Sequence, residues 1–338
     1  MKSTIKAISE WGLFIVVLAG IIYGLWKWLP KNLFSKPELD LTLIEYVNDV
    51  PEGCAWKAVS TCDYKILMEC ITSDDLTSTD SEGRNLLHYA MTTSAWEQSQ
   101  NLCLASAAYL INIQGISPGV KDGRGLTPLH YASMTGNNLA AIYLYQKDHE
   151  LIDAKDDLGF TPLNYAETYA QLGGTKYTNM IAYLKGLEGF GALVPITAYS
   201  HIYWIEGTVY SDVDEFDNAI SQFDASINNC GDDMSCLLNV GWLSYWMRGA
   251  VYDKLEQYDN AIADYSSAMD IHPEEINLLY NRGKSYHNLG ECESAKTDLG
   301  QYVAAIISHT DIGEIITGEN SGALVLAQSM METCVDAP

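Results

Sequence analysis

An eleven-residue pattern recurs three times in the first half of this 338-residue chain. It runs from Asp122 to Ala132 and reads DGRGLTPLHYA. Its Asp, Gly and Ala keep the same offsets in copies that begin at Asp80 and Asp156. The last two copies are 34 residues apart, from Ala132 to Ala166, and the first interval is eight residues longer. A fixed period restricts the fold to a stack of similar units, because one unit alone has too small a core.

This pattern resembles the opening of an ankyrin repeat, whose Thr-Pro-Leu-His-x-Ala signature is matched fully at Thr127 to Ala132 and nearly in the other copies. In such a repeat Asp and Gly shape the tip of a β-turn finger, and Thr and Pro begin a helix. The resemblance implies that His88 and His130 hold the turn together by hydrogen bonds. The eight additional residues are expected in extended helices or a loop around Trp96 to Gly119.

The ankyrin domain is predicted over residues 41–188, with the resemblance itself covering about 50–187. Before the first finger we expect helices from Leu41 to Asn48 and from Trp56 to Ile71. We interpret them as a degenerate unit that caps the stack, since terminal repeats need a polar outer face. Two glycines and a proline then predict a linker at 189–200.

A different repeat occupies the second half. Gly207, Gly249 and Gly283 are each followed by Tyr three positions on and by Ala twelve positions on. This spacing resembles the tetratricopeptide repeat, in which small residues let two antiparallel helices touch. The resemblance covers about 200–308 and predicts a domain at 201–310.

The C-terminal region, 311–338, is predicted to hold a capping helix from Ser321 to Thr333 followed by a short tail. A terminal repeat has a neighbour on one side only, so such a helix is expected to cover the exposed face of the last repeat.

The chain has eight cysteines, an even number that fits an oxidising compartment. The first tetratricopeptide interval is eight residues too long, and the additional loop contains Cys230 and Cys236, which a disulfide could join. Cys334 could reach back to Cys292, but the connectivity stays open at this point.

The N-terminal segment carries no charge from Trp11 to Trp26, and bulky residues follow it where a signal peptidase needs small ones. A helix over 11–29 is close to the ~30 Å that a membrane span requires. We therefore expect an uncleaved single-pass anchor at 11–29, between a short tail at 1–10 and a linker at 30–40. The predicted fold class is all-α: a transmembrane helix, an ankyrin-repeat solenoid and a tetratricopeptide-repeat helical solenoid.

The topology of this anchor is open, because lysines flank it on both sides. The long, acidic, cysteine-containing body favours an extracytoplasmic location, on the periplasmic side, with the cytosol as the alternative. A formal net charge of -25 and a sequence pI near 4.4 argue against nucleic acid and against docking on anionic lipid. The expected partners are therefore the membrane, through the anchor, and other proteins.

No catalytic, cofactor-binding or metal-binding constellation emerges from the sequence, so we predict no enzyme, no cofactor, no metal and no small-molecule substrate. His272, which precedes Pro273, is expected to be exposed.

An aromatic residue precedes each repeat glycine by three positions: Trp204, Trp246 and Tyr280. By resemblance to the family, this helix lines a concave groove, where an aromatic stripe would bind an extended peptide or an amphipathic helix. The alternative is that the rings only pack between repeats. With Lys284, these residues are the candidate partner-binding set. Because Lys284 and Arg248 are isolated cations, a clamp for a C-terminal carboxylate is not expected.

These features predict a membrane-anchored scaffold or assembly factor that binds partner proteins through its ankyrin and tetratricopeptide surfaces. The first alternative is a permanent structural subunit of a larger membrane complex. The second is a ligand-binding receptor or an enzyme, which would need a pocket near Phe190 to Tyr203.

Overall fold

The computed structural model describes residues 50–92, 97–171, 175–186, 196–309 and 320–334, and within these ranges all regular structure is helical. None of the described helices is long and apolar enough to cross a membrane. The predicted anchor at 11–29 and the helix at 41–48 lie outside the described ranges. In chain order the helices are α1 Cys54–Ser60, α2 Tyr64–Cys70, α3 Ser73–Thr77, α4 Leu86–Thr92, α5 Glu97–Ala108, α6 Pro128–Thr135, α7 Asn138–Lys147, α8 Pro162–Gln171, α9 Thr175–Lys185, α10 Ile196–Asp212, α11 Phe216–Cys230, α12 Met234–Cys236, α13 Trp242–Lys254, α14 Tyr258–Ile271, α15 Asn277–Leu289, α16 Cys292–His309 and α17 Asn320–Thr333.

The helix predicted from Trp56 to Ile71 is two helices, α1 and α2. Between them Cys62 has a φ of 59°, which no residue of a right-handed helix adopts. Asp63 then caps α2, its side chain accepting a hydrogen bond from the Ile66 N–H at 3.1 Å. The prediction of one helix was wrong because apolar spacing continued across this cap.

Each ankyrin-like finger is built around one aspartate. Oδ1 of Asp122 accepts hydrogen bonds from the backbone N–H groups two and four residues on, at 2.8 and 2.9 Å, and Oδ2 accepts from the Tyr131 hydroxyl at 2.7 Å. Asp80 and Asp156 make the same three bonds in their own fingers. One carboxylate thus accepts hydrogen bonds from the free N–H groups of the turn and also binds the turn to the following helix. This double role accounts for the constant offset of the aspartate.

Histidines join one finger to the next. Nδ1 of His130 accepts from the Thr127 N–H at 3.1 Å, and Nε2 donates to the Phe160 carbonyl of the following finger at 3.2 Å. His88 reaches the Leu126 carbonyl in the same way, at 3.1 Å. Burial lowers the pKa of both imidazoles to about 4, so both are neutral at pH 7. Their predicted structural role is confirmed.

The third finger has no described finger after it, and its sequence differs from that of the other two. Asn164 replaces histidine and caps the helix by accepting from the Thr161 N–H at 3.0 Å. Gly83 and Gly125 have φ values of 79° and 77°, and a Cβ on either would meet the next finger at 2.6 Å. Gly159 also has a positive φ, of 85°, but has open space around it.

A helix occupies the centre of the longer first ankyrin interval. α5 continues directly into a π-helix at Tyr109–Ile113, whose members Tyr109 and Leu110 are buried. Of the two predicted forms, extended helices or a loop, the helical one is therefore present at its centre.

Three antiparallel helix pairs follow, formed by α10 with α11, α13 with α14, and α15 with α16. Gly207, Gly249 and Gly283 lie where the paired helices touch. A Cβ at these glycines would come within 2.7 to 2.9 Å of the opposite side chains, which are Phe223, Tyr265 and Leu299. Because Cβ atoms do not approach so closely in packed interiors, glycine is required at each contact.

All eight cysteines form disulfides in the structure. Cys230 pairs with Cys236, and Cys292 pairs with Cys334, which joins the beginning of α16 to the end of α17. The pairs at the N-terminal end, which the sequence did not predict, are Cys54 with Cys70 and Cys62 with Cys103. Three of the four links therefore fasten the outermost described units, where neighbours are fewest.

An acidic residue replaces a basic one where the ankyrin-like and tetratricopeptide-like arrays meet. Arg248 and Arg282 each bind an aspartate of their own repeat through two nitrogens. The same position of the first repeat is Glu206, which accepts from Lys147 of α7 at 2.5 Å and from Asn112 at 2.6 Å. The Glu206 side chain is only 5% exposed, so it needs these partners. Lys147 and Asn112 of the ankyrin-like array therefore supply the hydrogen-bond donors that the first repeat does not provide for Glu206.

Candidate partner-binding surface

The three predicted aromatic residues lie at the same position of α10, α13 and α15, and each is half-buried. Trp204 packs against two core clusters, which include Phe223 and Val240. Its indole Nε1 is buried and has no hydrogen-bond partner among the described residues. Trp204 therefore belongs largely to the packing between α10 and its neighbours.

Trp246 and Tyr280 also combine packing with partial exposure. Trp246 packs against the cluster around Tyr265 and Leu278. The Tyr280 ring lies 5.2 Å from that of Tyr302, centroid to centroid. Among the described rings no direct contact joins the three predicted residues to one another. The stripe consists of separate half-exposed rings, one in each repeat, so both the binding and the packing interpretations apply to the same side chains.

Lys284 is half-buried and makes no hydrogen bond or ion pair with a described residue. It follows the repeat glycine directly, so Thr208 and Ala250 occupy the equivalent positions of the other repeats. These three residues lie one turn beyond the aromatic rings and on the same side of each helix.

Arg248 is not isolated, contrary to the sequence-based expectation. It is bound by Asp264 at 2.6 and 2.8 Å and by Asp224 of the preceding repeat. Burial alone would lower the pKa of Arg248, but the two aspartates raise it above its ordinary value. A guanidinium held by two carboxylates is not available to clamp the carboxylate of a partner. The sequence feature that could have indicated these ion pairs is the aspartate sixteen residues after each of Arg248 and Arg282.

Sequence reasoning missed Trp242, which is the centre of a stack of three rings. Its ring lies 5.8 Å from that of Trp246 and 4.3 Å from the imidazole of His272, with interplanar angles of 23° and 19°. His272 is therefore half-buried, and the expectation of an exposed histidine was wrong. Its position before Pro273 indicated the end of a helix, but not that this end meets the beginning of α13.

The described residues contain no group of three or more His, Cys, Asp or Glu side chains arranged to hold a metal ion. The half-exposed aromatic rings and the half-buried Lys284 lie on one side of the first helices of the three pairs.

The comparisons with known proteins agree with this architecture. Residues 94–186 match the family model for ankyrin repeats in three copies, and residues 249–290 match the one for the TPR repeat. These two segments are similar to ankyrin repeats and to a tetratricopeptide repeat. The ankyrin match begins after the first finger at Asp80, although that finger makes the same hydrogen bonds as the others. The first tetratricopeptide-like pair, with its additional loop and Glu206, lies outside the TPR match.

No curated protein matches the sequence. Among solved structures, the chain is similar to one described as the TPR2AB-domain:pHSP90-complex of yeast Sti1, at 13% sequence identity and a TM-score of 0.31. The similarity covers 86% of this chain and 98% of that chain. At this TM-score the similarity supports no conclusion about the present chain.

Proposed function

We propose that this protein is a membrane-anchored scaffold or assembly factor that binds partner proteins through its two repeat arrays. The observation that carries the proposal is the recurrence of a half-exposed aromatic ring at one position of three consecutive helix pairs, Trp204, Trp246 and Tyr280. Repeat solenoids present such recurring positions as extended binding surfaces and do not by themselves supply a reaction. Holding partners beside a membrane would raise their effective concentration.

Site-specific photo-crosslinking tests this surface. A photo-reactive amino acid is placed at Thr208, Ala250 or Lys284 in the full chain, expressed in its native membrane. Matched control positions are exposed, equivalent to one another and on the second helix of each pair: Ser221, Ala263 and Thr297. We expect crosslinks to other proteins at the first set and few at the controls. Equal labelling of both sets, or none at either, would contradict the assignment of the surface.

A permanent structural subunit is the alternative, and one observation favours it. Val325 and Leu326 on α17, the last described helix, are 65% and 50% exposed. The outer face of a terminal repeat is ordinarily polar, since it faces water. Apolar side chains there suit a chain that is always covered by another subunit, in which case the protein made alone would be unstable.

We further propose that the repeat domains lie outside the cytoplasm, on the periplasmic side, with the cytosol as the alternative location. Four disulfides, three of which fasten the outermost described units, suit an oxidising compartment. The test labels intact cells with a membrane-impermeant thiol reagent, with and without prior reduction. Labelling that requires reduction is expected. Thiols that are protected in intact cells and react after lysis without reduction would place the domains in the cytosol.

A further inference from the structure

The loop closed by Cys230 and Cys236, together with the residues directly after it, carries large apolar side chains at its surface. Met234 and Leu238 are 57% and 50% exposed, whereas Cys236 and Val240 beside them are fully buried. Exposed apolar side chains scattered singly are ordinary, but neighbouring ones form a patch, and patches mark interaction surfaces. This loop is the segment by which the first repeat exceeds the 34-residue period, so the patch is an addition to the repeat architecture.

One continuous helical run holds the patch on one side. α12 leads directly into a π-helix at Leu237–Gly241 and then into α13, so no break separates Met234 from Trp242. A spacing of four residues is close to one full turn in an α-helix and in the wider π-helix alike, which places Met234, Leu238 and Trp242 on the same side of the run. The opposite side of the run packs against Trp204 and the disulfide.

The far end of the stripe is rigid. Trp242 is stacked against Trp246 and against His272, so two neighbouring rings fix the position of its ring. Met234 lies in α12 and Leu238 in the π-helix that follows it, and both side chains are exposed. A fixed aromatic ring next to flexible apolar side chains is a combination that adapts to the apolar face of a partner helix.

Carboxylates flank both ends of the stripe. Asp232 and Asp233 are exposed just before Met234, and Asp233 also caps α12 by accepting from two backbone N–H groups at 2.8 and 3.1 Å. At the other end Oε1 of Glu274, a residue whose side chain is 71% exposed, lies 3.6 Å from Nε2 of His272. No Lys or Arg occurs from Cys230 to Met247. An anionic partner or an anionic lipid surface would be repelled here, and a cationic partner attracted.

We propose that Met234, Leu238 and Trp242 form a docking stripe for a cationic amphipathic helix of a partner protein. The apolar face of that helix would cover the stripe, and its Lys or Arg side chains would meet Asp232 and Glu274. The inference rests on the proposed scaffold function and names the chemistry of one partner. The stripe lies outside the repeat positions tested by crosslinking, so a failure of this inference can be distinguished from a failure of the proposed function.

The test uses the full chain in nanodiscs of zwitterionic lipid and a labelled synthetic peptide of about 18 residues, five helical turns. Leu occupies one face of the peptide and Lys the remaining positions, and a matched peptide has Glu in place of every Lys. Fluorescence anisotropy, corrected with empty nanodiscs, is expected to show binding of the Lys peptide and not of the Glu peptide. Met234→Ser with Leu238→Ser should weaken the binding about tenfold or more, because the apolar contact is lost while every charge remains.

The control variant, Ile66→Ser with Leu158→Ser, removes side chains that are 46% and 53% exposed elsewhere on the protein and should bind like the natural chain. Equal binding by both double variants would overturn the proposal, since the attraction would then come from the charge of the acidic protein as a whole. It would also fail if the Glu peptide bound equally well. Self-association of the chain that disappears in the Met234→Ser, Leu238→Ser variant would overturn it in favour of a second copy as the occupant.

Discussion

The two buried histidines of the ankyrin fingers make the stability of the array depend on pH. Burial lowers the pKa of His88 and His130 to about 4, whereas an unfolded histidine titrates near 6.5. Between these values the unfolded chain binds more protons, so the free energy of unfolding falls as the pH falls through this window. From pH 7.5 to pH 5 each histidine should remove about 2 kcal/mol of stability, and below pH 4 its contribution levels off.

His130→Asn tests this reasoning, because Asn164 already serves as the equivalent cap in the third finger. The variant loses the bond to the Phe160 carbonyl, which costs about 1 kcal/mol at every pH. It also loses one titrating group, so its stability should fall by about 2 kcal/mol less than that of the natural chain between pH 7.5 and 5. Urea unfolding followed by circular dichroism measures both values, and His149→Asn, at an exposed position, is the control. An unchanged pH dependence in His130→Asn would refute the argument.

Three further predictions concern the packing of the repeats. Gly249→Ala should destabilise the protein by about 1–3 kcal/mol, because the new Cβ would lie 2.9 Å from a tyrosine ring. Gly300→Ala is the control: a Cβ there has nothing within 4 Å, so the variant should change thermal stability by less than about 1 kcal/mol. Glu256→Gly should raise the melting temperature, since a φ of 59° costs a side chain about 1 kcal/mol that glycine avoids. Glu206→Arg and Lys147→Asp should each cost about 1–3 kcal/mol, while the double variant recovers at least half of the summed loss in a double-mutant cycle. Simple additivity would mean that the two side chains do not interact.

Local spacing in the sequence was sufficient to predict the repeats. The aspartate, glycine and histidine of each finger act within one turn or on the next finger, and glycines such as Gly207 mark a single helix contact that recurs. The same logic located the loop of Cys230 and Cys236 as an excess over the period. Interactions within a repeat can be predicted from the sequence, because the same physical requirement selects the same residue several times.

Interactions that occur only once in the structure produce no recurring spacing in the sequence. Glu206 meets Lys147, 59 residues earlier, and Asp212 accepts from Tyr64, 148 residues earlier. Nothing in their spacing indicates either pair, although the replacement of Arg by Glu206 at a repeat position was a visible anomaly. The stack of Trp242 on His272 likewise depends on where two helix ends meet. The candidate aromatic residues were located by position, but their degree of burial follows from packing that the sequence does not record.

The central claim is that the chain holds exchangeable protein partners, and mixing isotopically labelled and unlabelled samples tests it most directly. Assemblies of the full chain are isolated from unlabelled membranes after incubation with a labelled extract that lacks the protein, and each co-purifying protein is quantified in both isotopic forms. A scaffold predicts partners in both forms, because they exchange. Partners in the unlabelled form alone, in fixed stoichiometry, would contradict the scaffold and favour a permanent subunit of a larger complex. The absence of any co-purifying protein would contradict both.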